Sequence, residues 1–456
     1  MPFPHPPFPN IGYPTSSLLR IVLSLSFVLL LQACSENTSW EKYQDAGEKA
    51  YEQHRYADSE KMFLTALKEA QTRQLDNAHL ARTTKSLGDL YYGQGKLAEA
   101  EPFYRQALAT REKTWGTDHP DLVSILTNLA AIYDKQGKLG QAEPLYQRAL
   151  AASEKASGIE QPQANTIIKN LAKSYNAQGK NKEAEGLYRR VLERRERLLG
   201  PDHLQVAMSL DDLAAQYNVQ NKFTDAAPLY KRSLAIRQKV LGENSRDVVT
   251  SLNKLAATYV LLNEPAQAEV LYKRSLAILE RTQGVEHPDT ASLLSQLAGV
   301  YQSQGRFAES ESLYQRALAI MVKLQGPQHP DFSGTLLNLG VLYRNQGRYV
   351  EAADLSRHAL KIREKALGGS DPQVAHALNM LGAVYLDQGK YTKAEPHFVR
   401  ALRILEQRTR PIDRFDMVTS LLGLADVYSQ TNRKSEAEKL KDRARALRLE
   451  QTKETH

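Results

Sequence analysis

Cysteine is nearly absent. A single one, Cys34, stands in 456 residues, which excludes an internal disulfide framework and any cysteine-cluster metal site. Aromatic residues are sparse at 7%, and Tyr (22) outnumbers Phe (10) and Trp (2), so aromatic packing falls mainly to tyrosine. Long apolar runs are missing apart from one near the amino terminus, which excludes a polytopic membrane protein. With 42% hydrophobic and 25% charged residues, a collagen-like or mostly disordered chain is excluded too. Neither sign of charge dominates: 60 Lys+Arg against 52 Asp+Glu gives +8, interleaved along the chain with no basic block. A surface of that kind gives no basis for a nucleic-acid partner.

The amino terminus differs from the rest. Residues 1–17 carry six prolines, and Arg20 precedes the apolar run Ile21–Leu31. Eleven residues are too few for a bilayer core, which needs about 20, but they suit the hydrophobic segment of a signal peptide. Leu31-Gln32-Ala33-Cys34 resembles the lipobox of bacterial lipoproteins, although Gln32 departs from the small or branched residue usual there. The resemblance implies a signal over 1–33 and diacylation of the Cys34 thiol, with the acyl chains serving as membrane anchor. Ser35 rather than Asp after the cysteine implies the periplasmic face of the outer membrane. Residues 34–40 read as a linker.

From there a period governs the sequence, and periods of this length announce repeat architectures. Tyr91, Tyr133, Tyr175, Tyr217, Tyr259, Tyr301, Tyr343 and Tyr385 recur every 42 residues; Tyr428 follows after 43, and a degenerate copy carries Tyr51. Three residues before each of the nine from Tyr91 to Tyr428 lies Gly or Ala. Four residues after it only Gly or Asn occurs (Gly95, Gly137, Gly179, Asn221, Asn263, Gly305, Gly347, Gly389, Asn432), the residues that tolerate left-handed backbone at a helix end. One helix therefore stops there. A second follows, with apolar residues at helical spacing such as Ala100, Phe103, Tyr104, Ala107 and Leu108. It ends at another periodic glycine: Gly116, Gly158, Gly200, Gly242, Gly284, Gly326 and Gly368. His-Pro-Asp at 119–121, 287–289 and 329–331 restarts the first helix, with Pro and an acid in its first turn. Pro102, Pro144, Pro228 and Pro396 sit inside the second helix, so that helix either starts after them or bends.

Two helices per unit, a small residue packing on the partner helix and a tyrosine near the first helix's end resemble the tetratricopeptide repeat. The 42-residue length and the Ala-Glu-Pro-Leu-Tyr and His-Pro-Asp strings look like the longer repeats of kinesin light chains. The resemblance implies an all-α fold, a right-handed α-solenoid of about ten stacked helix-turn-helix units over residues 41–445, with a charged tail at 446–456. No single helix pair can bury its apolar face, so neighbours must stack.

Catalytic patterns are lacking. The recurrent Gln-Gly-Lys has neither the upstream glycine nor the following Ser or Thr of a phosphate loop and reads as an interhelical turn. His119, His203, His287 and His329 lie in different units, at least a helix-packing distance of ~8–10 Å apart, whereas metal ligands must converge at bond lengths near 2 Å. They read as helix-start residues. Glu99 and Glu101, two apart on a helix, read as solvated or intrahelical pairing residues rather than an acid–base dyad. Fifteen of the 22 tyrosines fill two repeat positions and read as core. The expectation is a non-enzymatic chain with no cofactor, no metal and no small-molecule substrate.

A binding surface remains. In the resembled fold the first helices line a concave groove that takes peptides or partner helices. Counting from each tyrosine, its polar set comprises Lys85, Asn128, Lys169, Asn170, Lys173, Asp211, Asp212, Asn253, Lys254, Gln296, Asn338, Arg344 and Asn379. A ladder of Asn128, Asn170, Asn253, Asn338 and Asn379 could hold peptide backbone, since an asparagine amide both donates and accepts. Lys85 and Asn128 match the carboxylate clamp of some chaperone-binding repeats, but Asp89, Thr166 and Asn170 do not, and that clamp is not expected. The reading is a lipid-anchored scaffold for protein partners in a bacterial envelope. The alternatives are an assembly factor of an envelope machine (pilus, outer-membrane or polysaccharide export) and a cytosolic regulatory repeat protein whose apparent signal precedes the true start.

Overall fold

A left-handed residue closes the first helix of one unit after another, and this is the simplest local fact of the computed structural model, which describes residues 39–157, 162–407 and 414–454. Gly95, Gly137, Gly179, Gly305, Gly347 and Gly389 have φ of +69° to +76°, and Asn221, Asn263 and Asn432 have +57° to +62°. The next residue's backbone N–H then returns to the carbonyl of the anchor tyrosine, as from Lys96 to Tyr91 (2.9 Å) and Lys138 to Tyr133 (2.8 Å). This is the Schellman closure, which satisfies a carbonyl the helix leaves open. The glycines that end the second helices are left-handed too, Gly116, Gly200, Gly242, Gly284, Gly326 and Gly368, at φ of +80° to +93°. Gly158, expected to belong with them, lies outside the described residues, as do the signal segment 1–33 and Cys34.

First and second helices alternate along the chain. The first helices are α1 (39–52), α3 (Asn77–Gly93), α5 (Val123–Lys135, entered through a 3-10 turn at Pro120–Leu122), α7 (Pro162–Ala177) and α9 (Leu204–Val219). They continue with α11 (Arg246–Leu261), α13 (Pro288–Ser303), α15 (Pro330–Asn345), α17 (Pro372–Asp387) and α19 (Arg414–Gln430). The second helices are α2 (Tyr56–Thr72), α4 (Leu97–Trp115), α6 (Leu139–Ser157), α8 (Asn181–Leu199) and α10 (Phe223–Leu241). After these come α12 (Pro265–Thr282), α14 (Phe307–Gln325), α16 (Tyr349–Leu367), α18 (Tyr391–Glu406) and α20 (Lys434–Glu454). Among the described residues there is no strand. The fold is an all-α repeat solenoid.

Starts are as regular as stops. The ring Nδ1 of His119, His203, His287 and His329 accepts the backbone N–H two residues on (3.1–3.3 Å), so these histidines are N-caps. Asp76, Ser245 and Asp371 cap their helices in the same way. The four interior prolines do not delay the second helix: α4 begins at Leu97 and runs through Pro102, and α6, α10 and α18 likewise contain Pro144, Pro228 and Pro396. Each proline is solvent-exposed.

The chain forms two compact units that divide within α7, one up to Ser174 and one from Tyr175 onward. Core layers repeat in each. In the first, Gly88 packs against Tyr104: a Cβ there would stand 3.0 Å from the ring. In the second, Gly382 does so against Phe398, and Gly423 is tighter still, at 2.4 Å from the same ring. Gly88 and Gly382 thus meet an aromatic ring of the following helix, whereas Gly340 meets Ser356 and Leu355 and Gly423 meets the ring of the helix before it. Two boundaries move. Trp40, assigned to the linker, is 3% exposed and donates Nε1–H to Thr83 Oγ1 (3.0 Å), so the folded part begins before 41. At the other end, α20 continues through 446–454, the stretch assigned to the tail.

Candidate functional site

Three side chains recur together at several joints between successive units, and sequence reasoning missed the combination. The anchor tyrosine at the end of a first helix points its hydroxyl at a glutamate on the second helix of the unit before. Tyr91 donates to Glu60 (2.7 Å), Tyr133 to Glu101 (3.3 Å), Tyr217 to Glu185 (3.2 Å) and Tyr343 to Glu311 (2.8 Å). The cation five residues after the tyrosine lies over its ring and reaches the same glutamate. Arg306 is 3.8 Å from the Tyr301 ring centre and 2.9 Å from Glu269; Arg348 is 3.7 Å from the Tyr343 ring and 2.9 Å from Glu311. Arg433 is 3.5 Å from the Tyr428 ring and 2.7 Å from Glu395. Lys138 and Lys222 do the same with Glu101 and Glu185.

Glu101 has the intrahelical pairing expected of it, with Arg105 (3.8 Å), and is in addition an inter-unit acceptor. The Lys of Gln-Gly-Lys is its partner. Burial and the Glu60 carboxylate push the Tyr91 hydroxyl up to about 12. Glu269 goes the other way: although burial opposes it, hydrogen bonds from Lys273, Gln304 and Arg306 hold its carboxyl at about 2. These groups hold units together.

The polar set expected along the groove divides sharply. Asn379 is fully buried, donating to the Asp416 carbonyl (2.9 Å) and accepting from Ser420 Oγ (2.7 Å). It ties α17 to α19 and cannot hold a peptide. Asp211, 4% exposed, is bound by Arg237 (3.0 Å) and Lys254 (2.8 Å), which commits Lys254 as well. Lys85 is paired with Asp89 (2.6 Å), and Asn128 donates to Tyr104 Oη (3.0 Å) and Asp89 (3.4 Å). Tyr104 in turn donates to Asp89 (2.5 Å), and burial raises its hydroxyl far above the usual range. These two residues are held by Asp89, the chain's own carboxylate. Arg344 pairs with Asp387 (2.5 Å). On α7, Lys169 and Lys173 are exposed and Asn170 is half-buried; Asp212 is half-buried on α9. Burial raises the Asp134 carboxyl, and the charge of Lys173 opposes it.

Gln296 and Asn338 are exposed and Asn253 is half-buried, and they lie along one surface. A groove of about 180 Å³ between α11 and α13 is lined by Arg246, Thr250, Asn253, Ser292 and Gln296. A second, of about 390 Å³ between α13 and α15, shares Ser292 and Gln296 with it and adds Gln325, Asp331, Gly334 and Asn338. Met321 and Leu324, from the end of α14, give the second groove an apolar wall. Asn253 Oδ1 is buried and accepts no hydrogen bond. Among the described residues no group of three or more His, Cys, Asp or Glu converges as a metal site, and no helix is long and apolar enough to cross a membrane.

Comparison with known proteins bears on this repeat pattern. Residues 163–239, 211–281 and 331–407 match a family profile described as tetratricopeptide repeat, and residues 80–121, 122–163 and 290–331 match another of the same description. No curated protein matches the chain. Among solved structures, BtubC (BKLC) from P. vanneervenii is similar at 27% identity over 50% of this chain and 92% of its own, with a TM-score of 0.44. A Podosopora anserina protein named for kinesin light chain, with nearly identical TPR-like repeats, matches at 24% identity over 46% of this chain and 99% of its own, with a TM-score of 0.39. The apo form of RapI covers 81% of this chain and 98% of its own at 12% identity, with a TM-score of 0.51, a likeness of fold alone.

Proposed function

This chain belongs to the tetratricopeptide repeat family, and from that premise we propose that it is a non-catalytic scaffold binding protein or peptide partners along its first helices. Repeat folds of this kind present extended surfaces rather than catalytic centres. The observation that carries the reading is the open polar groove over α11, α13 and α15, where Asn253, Gln296 and Asn338 stand in successive units around grooves of about 180 and 390 Å³. The exposed amides of Gln296 and Asn338 offer both a donor and an acceptor to a peptide backbone. Within the same proposal, Cys34 is the acylated anchor and the working compartment is the bacterial envelope, on the periplasmic face of the outer membrane. What supports this part is the apolar run ending at the chain's one cysteine.

The test places a photo-crosslinking amino acid at Asn338 or Gln296 and, as control, at the exposed Lys231 on α10. Discrete adducts from the first two positions alone are expected in cells. Equal labelling from Lys231, or none from Asn338 and Gln296, would reject the groove. The intact mass of the natively expressed chain, compared with Cys34→Ser, decides the anchor separately. A diacylated or triacylated chain beginning at Cys34 is expected, and an unmodified one retaining earlier residues would move the search for partners to the cytosol.

A further inference from the structure

Two equivalent positions in neighbouring units differ in a way that leaves one acid without its cation. Arg246, the first residue of α11, reaches across to Asp289 near the start of α13 (3.2 Å). The same step one unit on, 42 residues later at both ends, runs from Pro288 to Asp331. Proline has no charge to give, and Pro288 and Asp331 both line the groove between α13 and α15. That groove holds about 390 Å³, against about 180 Å³ where Arg246 is present. Asp331 is its one charged lining residue. The nearest titratable neighbour, His329, stands 3.6 Å from the carboxylate, but its Nδ1 is already the acceptor for the Asp331 backbone N–H.

The rest of the lining suits a long cationic side chain. Met321 and Leu324 provide an apolar wall for methylenes, as lysine and arginine stems require. Gln296 and Asn338 stand at the rim with amides able to hold the backbone on either side. Gly334, inside α15, would have nothing within 4 Å of an added Cβ, so packing within the chain does not account for its small size. We propose that this groove takes an arginine or lysine side chain of an extended polypeptide, the ligand's cation standing against Asp331 as Arg246 stands against Asp289. The proposal rests on the scaffold reading above and specifies the chemistry of its partner.

The test uses the full chain and three labelled octapeptides, (Ser-Arg)4, (Ser-Gln)4 and (Ser-Glu)4, titrated by fluorescence anisotropy. At a net charge of +8 the protein as a whole favours the acidic peptide, so preference for the basic one must be local. Binding of (Ser-Arg)4 is expected, weakened about fivefold by Asp331→Asn, in keeping with a solvent-exposed ion pair. Pro288→Arg should weaken it at least as much, by restoring from within the pair that Arg246 makes next door. Both positions lie at the start of helices and are exposed or half-buried, and an unchanged melting curve confirms folding. Equal binding of all three peptides, no binding of (Ser-Arg)4, or indifference to both substitutions would overturn the proposal. Crosslinks from Asn338 would still stand in that event, because they report any partner in the groove, whatever its charge.

Discussion

At the scale of single residues, the joint between units explains why tyrosine outnumbers every other aromatic. A phenylalanine could fill the same space, but it could not send a hydroxyl to a glutamate one unit back while taking a cation on its face. The strongest of these joints is Glu269, which receives Lys273 (2.6 Å), Gln304 (3.0 Å) and both Arg306 contacts (2.9 and 3.0 Å). Its carboxyl is held at about 2 in the folded chain, below its ordinary value of 4.5. A depressed carboxylate lends stability that is fully present above the ordinary value and is lost as pH falls toward the folded one. Glu269→Gln should therefore lower stability at pH 7 by about 1–3 kcal/mol, as for a charged group with several hydrogen bonds, read as a lower melting midpoint. The deficit should shrink as pH is lowered from 5 to 2, because the wild-type carboxylate is itself being neutralised. Thermal melts of both proteins across that range measure it; a deficit independent of pH would show that the charge of Glu269 is not what matters.

At the scale of the helix, much was legible in advance. Left-handed backbone leaves a compositional mark, since only Gly and Asn bear it cheaply, and so the stops of the helices could be placed from sequence. The histidine caps were legible for a similar local reason. Partners 32 to 37 residues away leave no such mark, so the inter-unit role of Glu101 is not legible in the sequence although its intrahelical pairing is. The groove failed in an instructive way. Six residues before the anchor tyrosine Asp211 and Asn379 turn into the neighbouring helix, yet Asn253 at the same step lines the groove; five before it Gln296 and Asn338 face solvent, yet Asn128 is held by Tyr104. One step along a helix rotates a side chain by about 100°, and a period alone does not say which side of that boundary a residue falls on. The prolines make a prediction at this scale. Pro102 and Pro228 are exposed, so they contribute no core packing, yet each removes a hydrogen bond from a helix that continues through it. Other units carry Gly186, Val270, Ser312 and Asp354 at the same place. Pro228→Ala should raise stability by about 1–3 kcal/mol, read as a higher melting midpoint. An unchanged or lower midpoint would mean the proline shapes the helix in a way its neighbours need.

At the scale of the molecule, stability in a repeat fold is close to a sum of terms for units and for the joints between them, so a missing joint matters beyond its own energy. Along the second helices an arginine of one unit meets a glutamate of the unit before. Arg148 pairs with Glu112 (2.5 Å) in the first compact unit. In the second, Arg232 pairs with Glu196, Arg316 with Glu280, Arg400 with Glu364 and Arg443 with Glu406, each at 2.6 Å. Between α14 and α16 both partners have changed: the glutamate position is Val322, 42% exposed, and the arginine position is His358, whose ring meets Phe332 edge-on. The tyrosine joint has gaps of the same kind, with Ala227 and Glu264 around Tyr259 and Ala353 behind Tyr385. The members are not always lost together: Gln238 stands at the glutamate position opposite Arg274, which turns to Glu243 instead, and Lys390 remains beside Tyr385. Restoring the pair tests whether the ladder contributes at all. Val322→Glu and His358→Arg should each change stability little, while the double variant should exceed their sum by about 0.2–1 kcal/mol, the range of an exposed ion pair. The cycle is closed by denaturant midpoints of the four proteins. A coupling of zero would make the arginine–glutamate ladder a consequence of helix spacing, and would leave the tyrosine joints as the polar interactions that fix one unit on the next.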